Sequence, residues 1–129
     1  MMNTLKNKKE LNFSLIQRAK SFNHAFRGIY IFFKTTHNSW IQIVITLGVV
    51  CSGFYFNISP VEWIAIILSI ALVLVSEAIN TAIEIDIDLT SPEYHPYARD
   101  TKDVAAGAVL IACICASVVG LIIFIPYIL

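Results

Sequence analysis

Apolar residues in this chain gather into long blocks separated by short polar stretches. From Thr35 to Val61, and again from Val104 to Leu129, no Asp, Glu, Lys or Arg occurs. Each run exceeds the roughly 18–20 residues that carry a helix across a bilayer. Between them Trp63 to Ser76 is apolar but short, bounded by Glu62 and Glu77. Its helical pattern continues to Asp88, which predicts one longer helix leaving the membrane. Upstream, Leu11, Leu15, Ala19, Phe22, Phe26, Ile29 and Phe33 recur at spacings of three and four, the period of one helix face. Lys20, Asn23, Arg27 and Lys34 mostly point elsewhere, which predicts a basic amphipathic helix of the kind drawn to an anionic membrane surface. A soluble helix packed on a later loop is the alternative.

Composition agrees with a membrane reading. The 129 residues are 57% hydrophobic and 14% charged, against about 25% charged in an ordinary soluble domain. Nine Lys and Arg balance nine Asp and Glu, which excludes an acidic tail or a strongly basic nucleic-acid binder. No nucleic-acid partner is expected. Cys51, Cys113 and Cys115 all fall in apolar runs and suit small buried hydrophobes better than a disulfide frame. The polar, basic start is unlike a secretory signal peptide.

The charges are segregated. Seven of the nine basic residues precede residue 35, and the other two, Arg99 and Lys102, share one later loop. Three crossings put these two regions on the same side, with the turn Asn57–Pro60 and Leu129 opposite. Positive-inside bias makes the basic side cytoplasmic. Two crossings would satisfy the bias only with a re-entrant Trp63–Ser76 segment, a costly alternative. Trp40, Tyr55, Trp63 and Tyr127 lie near the span ends, as an aromatic belt requires. The expected fold is therefore all-α and integral to the membrane: a disordered 1–10, then a single membrane domain over 11–129. Within it, 11–34 is the surface helix. Residues 37–56, 61–85 and 100–127 are three transmembrane helices, the last two with cytoplasmic extensions.

Candidate chemistry lies on the second of these helices. With Glu77 at zero and about 100° per residue, Asn80 falls at about −60°, Glu84 at about −20° and Asp88 at about +20°. Asp86 is on the opposite side. Counted from Pro60 at 1.5 Å per residue, Glu77 is about 25 Å along the helix, just inside the far boundary of the hydrocarbon, and Glu84 about 10 Å further. A carboxylate at that depth is costly and marks function by default. A snorkelling helix-end acid is the plainer account of Glu77 alone, but two carboxylates and Asn80 on one face weigh against it. Their separation favours different tasks over one shared bare ion.

Past Leu89 the helix pattern breaks at Pro92 and Pro96, and a new helix is expected from near Ala98. Lys102 and Asp103 sit where it enters the membrane; Lys102 suits either a phosphate-binding cation or a snorkelling anchor. His95 could meet a nucleotide or simply be solvated. Ala105, Ala106, Gly107 and Ala108 are small enough for close helix approach. There is no GxxxxGK[ST] loop and no protein-kinase catalytic loop, so nucleotide chemistry here needs another scaffold.

The run Glu77-Ala-Ile-Asn80-Thr-Ala-Ile-Glu84 with Asp88, then Pro92-Glu-Tyr-His95-Pro and Lys102-Asp103-Val-Ala-Ala-Gly-Ala, strongly resembles the prokaryotic diacylglycerol kinase family, which includes undecaprenol kinases. The resemblance covers about residues 18–129. It implies a homotrimer of three-span subunits in the bacterial inner (cell) membrane, with composite active sites facing the cytoplasm. It implies an ATP- and Mg²⁺-dependent lipid kinase, converting diacylglycerol to phosphatidic acid or, alternatively, undecaprenol to its phosphate. Glu77 would be the general base, Asn80 its support, and Glu84 a metal and ATP ligand. Glu93, Tyr94, His95, Lys102 and Asp103 would form the nucleotide side.

One position departs from the pattern. Before the first span the family carries a second metal-binding Glu two residues ahead of an Asn. Here Asn38 is present, but Thr36 occupies the Glu position in Thr35-Thr-His-Asn38. A neutral hydroxyl is a poorer Mg²⁺ ligand than a carboxylate, and His37 does not suit a hard, oxygen-preferring ion. Three outcomes stay open: a metal held by Glu84 and the ATP phosphates alone, slow turnover, or a catalytically inactive membrane scaffold.

Overall fold

The computed structural model describes residues 15–129. The expected disordered segment 1–10 and the first residues of the expected surface helix lie outside the described residues. The described chain is all-α: α1 (Leu15–Thr35), α2 (His37–Phe56), α3 (Pro60–Thr90) and α4 (Pro96–Ile128). It divides between Ile31 and Phe32 into two compact units. The first is most of α1, whose residues from Lys20 to Tyr30 are all exposed, the apolar Phe22, Phe26 and Ile29 included.

The second unit holds three helices long and apolar enough to cross a membrane. α3 is continuous for 31 residues. Trp63–Ser76 is therefore the middle of a through-going helix and not a re-entrant segment.

Local chemistry sets the two connections. α2 ends at Asn57 in the left-handed region (φ 50°), which Asn tolerates through its short polar side chain. Ile58 N–H then returns to the Gly53 carbonyl at 3.2 Å, satisfying one of the last carbonyls of the helix. Ser59 opens α3: its hydroxyl accepts from Glu62 N–H, while Glu62 Oε2 accepts from Ser59 N–H at 2.7 Å. This reciprocal capping box satisfies two backbone donors that a helix start would otherwise leave unpaired. Pro60 follows at the first helical position, where its missing N–H costs nothing.

The second connection differs from the sequence expectation in one respect. α3 does end before Pro92, with Ser91 N–H bonded to the Ile87 carbonyl at 2.8 Å. Pro96, however, starts α4 instead of breaking the chain again, so the helix begins ahead of Ala98. A proline at this position loses no bond. His95 supplies the cap, its Nδ1 accepting from Tyr97 N–H at 3.3 Å.

α3 packs chiefly on α4 and to a lesser extent on α2. At the end nearest Asn57 the core is Ile58, Ile66 and Ile123, with Val49, Trp63 and Phe124 against it. Phe56 lies 5.8 Å from the Tyr127 ring, and the Tyr127 hydroxyl donates to Glu62 Oε2 at 3.0 Å. That bond ties the start of α3 to the end of α4. Along α4, Ala105 and Ala112 are buried two turns apart on one face, where small side chains let helix backbones approach. Ala106 and Ala108 are exposed.

The ends of α2 and α3 approach closely at Gly53. A Cβ there would lie 2.8 Å from Trp63 Cη2 and 3.2 Å from Ile58 Cδ1. The Trp63 ring cannot easily retreat, because it packs on Phe54 with centroids 4.9 Å apart. Gly53→Ala should therefore destabilise the bundle by about 1–3 kcal/mol through overpacking. Thermal unfolding in detergent measures this, and adding Trp63→Phe, which removes the clashing ring atoms, should recover most of the loss.

Candidate active site

The polar face expected on α3 is present, and the fold treats its members differently. Glu77 and Asn80 are buried, 4% and 8% exposed, whereas Glu84 and Asp88 are exposed. The 3.6-residue period places all four near one line along the helix. The first two fall where α3 is enclosed by its neighbours, and the latter two lie beyond that zone. Asn80 Nδ2 donates to Glu84 Oε1 at 3.0 Å, one helical turn apart, so the amide orients the carboxylate. Asn80 Oδ1 is buried and has no hydrogen-bond partner. An unpaired buried acceptor is costly, and here it sits within the polar face beside Glu77 and Glu84.

Beyond Glu84 the loop 91–95 and the first turns of α4 enclose a cleft of about 300 Å³. Glu93, Tyr94, His95, Lys102 and Asp103, the residues expected on the nucleotide side, all line it, together with Asp88 and Arg99. Lys102 Nζ donates to Asp88 Oδ1, and Arg99 pairs with Asp103 at 3.5 Å one turn along α4. Both cations are thus held at the cleft wall by carboxylates. His95 is the helix cap described above, a structural task its sequence position did not reveal.

Thr36 bonds to Thr81, three residues before Glu84 on α3. It lies between α1 and α2, and its hydroxyl is 2.8 Å from Thr81 Oγ1. Thr81 in turn donates to the Glu77 carbonyl at 2.9 Å, and Ser39 Oγ donates to the Thr36 carbonyl at 2.5 Å. Sequence reasoning passed over Thr81 and Ser39. Thr81 follows Glu77 by one turn, so its position on the flank of the same face was a usable signal. Ser39 had none. The Asn38 side chain lies outside the described residues.

Among the described residues no group of three or more His, Cys, Asp or Glu side chains is placed to hold a metal. Magnesium seldom needs such a cage; it is commonly bound by one or two carboxylates with substrate phosphates and water completing the shell. The exposed Glu84 carboxylate, steered by Asn80, fits that donor requirement.

The same residues lie within a family signature. The sequence model described as prokaryotic diacylglycerol kinase matches residues 23–124. The chain is 39% identical over 107 residues to the undecaprenol kinase of Bacillus subtilis (strain 168), covering 83% of this chain and 87% of that one. It is 35% identical over 107 residues to a diacylglycerol kinase of Synechocystis, covering 82% of this chain and 61% of the relative. A diacylglycerol kinase of Helicobacter pylori (strain 26695) is 30% identical over 110 residues, covering 80% and 86%. A through-going α3 with its buried Glu77 and Asn80, three helices able to span a bilayer, and a family match across most of their length lead to one assignment: the chain is a membrane lipid kinase and belongs to the prokaryotic diacylglycerol kinase family.

Proposed function

We propose that the enzyme uses Mg·ATP to phosphorylate the hydroxyl of undecaprenol in the bacterial cell membrane, working on the cytoplasmic side as a homotrimer. Diacylglycerol, the acceptor expected first from the sequence, is the second reading. The 39% identity to a named undecaprenol kinase over 87% of its length favours the former; the diacylglycerol kinases of Synechocystis and Helicobacter pylori favour the latter. The observation that carries the reaction is the burial of Glu77 and Asn80 one to two turns before the exposed Glu84. That gradient supports a proton acceptor at lipid-head depth with the phosphate-side groups in water.

In this reading Glu77 accepts the proton of the lipid hydroxyl as its oxygen bonds to the γ-phosphorus and the bond to ADP breaks. A positioned base of this kind contributes typically 10²–10⁴-fold. Asn80 holds Glu84, and Glu84 would carry the magnesium. The ion, when bound, neutralises phosphate charge during transfer. Lys102 and Arg99 stand at the cleft where the nucleotide phosphates would lie, and Tyr94 and His95 border the same space. Lys102 would exchange Asp88 for a phosphate oxygen on binding. The exposed Phe22, Phe26 and Ile29 of α1, flanked by Lys20 and Arg27, would lie in the membrane interface.

Purified protein in mixed micelles with Mg·ATP and a panel of undecaprenol, diacylglycerol and other lipid alcohols tests the substrate. Undecaprenol should give the highest kcat/KM. A preference for diacylglycerol would select the second reading, and no product with any lipid would return the chain to the inactive scaffold. In the same assay Glu77→Gln should lower turnover by about 10²-fold or more with ATP affinity little changed. Near-normal turnover would exclude Glu77 as the base.

Orientation is tested by labelling a chain freed of Cys51, Cys113 and Cys115. A cysteine at Ser59 should react with an impermeant thiol reagent added to intact cells, and one at Ser91 should not. The reverse pattern would invert the topology.

A further inference from the structure

Three buried or half-buried hydroxyls, on Thr36, Ser39 and Thr81, have no part in the transfer described above. Thr36 is the N-cap residue of α2, with extended backbone (φ −94°, ψ 106°), yet it makes no side-chain cap bond. Threonine is favoured at N-caps because its oxygen accepts from a backbone N–H of the first turn. Here that oxygen is turned to another helix instead, onto Thr81 at 2.8 Å.

The direction of that bond follows from proton counting. A threonine has one hydroxyl proton, and that of Thr81 goes to the Glu77 carbonyl at 2.9 Å. The proton between the two threonines therefore comes from Thr36. Ser39, fully buried, donates to the Thr36 carbonyl at 2.5 Å and holds the residue from the other side. The result is a directed chain: Thr36 O–H to Thr81 Oγ1, and Thr81 O–H to the carbonyl of Glu77. It joins the start of α2 to the turn of α3 that carries Glu77 and Asn80, across a separation of 45 residues in sequence.

We propose that Thr36 is a positioning residue. Its hydroxyl latches α2 to α3 and fixes the Glu77 turn against its neighbours, and it supplies no ligand to magnesium. The proposal rests on the reading of Glu77 as the base. Thr81 is buried and Thr36 half-buried, so leaving the hydroxyl or its acceptor unpaired costs more than losing an exposed bond would. Position 36 thus holds a neutral interhelical contact where the family resemblance implied a carboxylate, and Glu84 is left as the carboxylate for the ion.

A double-mutant cycle on the full chain tests this. Thr36→Val keeps the β-branched shape and removes the donor; no cap bond is lost with it, so the effect reads the latch. Thr81→Val removes the acceptor, and Thr36→Ser keeps the hydroxyl. At saturating Mg·ATP and lipid, Thr36→Val should lower kcat about threefold to tenfold, with the KM for ATP and the Mg²⁺ concentration for half-activity unchanged. Thr36→Ser should recover most of the loss. The double variant should be no worse than the poorer single one. Thermal midpoints measured in EDTA without nucleotide should show the same non-additivity, independently of any bound ion.

Additive losses in the cycle would overturn the latch. So would a Thr36→Val enzyme with normal kcat and a raised Mg²⁺ requirement, which is the mark of a lost metal ligand. If Thr36→Val does not fold, Thr81→Ala takes its place: loss confined to kcat supports the latch, and unchanged kinetics sink it. Failure of the base reading is separable, because a normally active Glu77→Gln enzyme leaves the unfolding cycle in EDTA to judge the latch alone.

Discussion

Putting polar side chains inside an apolar helix bundle imposes the constraint around which this molecule is arranged. Glu77, Asn80 and Thr81 are among the most buried residues of α3, alongside a single apolar one, Ile66. In low-dielectric surroundings such groups are tolerated when hydrogen-bonded and costly when not. Each has consequences for its neighbours. Thr81 takes its partners from Thr36, just ahead of α2, and from the Glu77 backbone, Asn80 reaches one turn along to Glu84, and Asn80 Oδ1 stays unpaired. A lipid kinase needs such a gradient, since its acceptor hydroxyl is anchored at the hydrocarbon edge while its donor is a polyanion in water.

The two ends of the bundle are built on opposite principles. At the Asn57 end, Ile58, Ile66 and Ile123 form an apolar core, and aromatic rings with the Tyr127–Glu62 bond close it. That end is packed for rigidity, with Gly53 shaved to admit Trp63. Toward the other end of α3 the buried residues are polar, and the cleft beside its last turns is lined by ion pairs. Between them much of the apolar surface is exposed, for example Val44, Leu68, Ile111 and Ile122. In water a surface of that extent would drive association; against lipid tails, or against another copy of the chain, it is in place.

The ion pairs at the cleft show how sequence position and structural role can diverge. Lys102 reads in sequence as either an anchor or a phosphate ligand, and in the fold it is paired with Asp88 across the loop. His95 reads in sequence as either a nucleotide contact or a solvated loop residue, and in the fold it caps α4. Neither pairing excludes a part in nucleotide binding, because exposed pairs of this kind are weak and exchange readily for a phosphate. What the fold adds is a resting state in which the positive charges of the cleft are already oriented by carboxylates.

Much of this was legible in the residues themselves. Two of the apolar helices follow from run length and the third, through Trp63–Ser76, from the segregation of Lys and Arg. The shared face of Glu77, Asn80, Glu84 and Asp88 follows from helical period, since covalent geometry alone sets the angle of each side chain about its own axis. That same geometry is silent about what lies opposite. It could not tell that Glu77 and Asn80 would be enclosed while Glu84 stayed exposed, that Pro96 would begin a helix once His95 capped it, or that Thr36 would spend its hydroxyl on Thr81. Those outcomes depend on how close α2, α3 and α4 approach one another. That distance is decided by Gly53, Ala105, Ala112 and the side chains around them acting together, so only the packed structure reveals it.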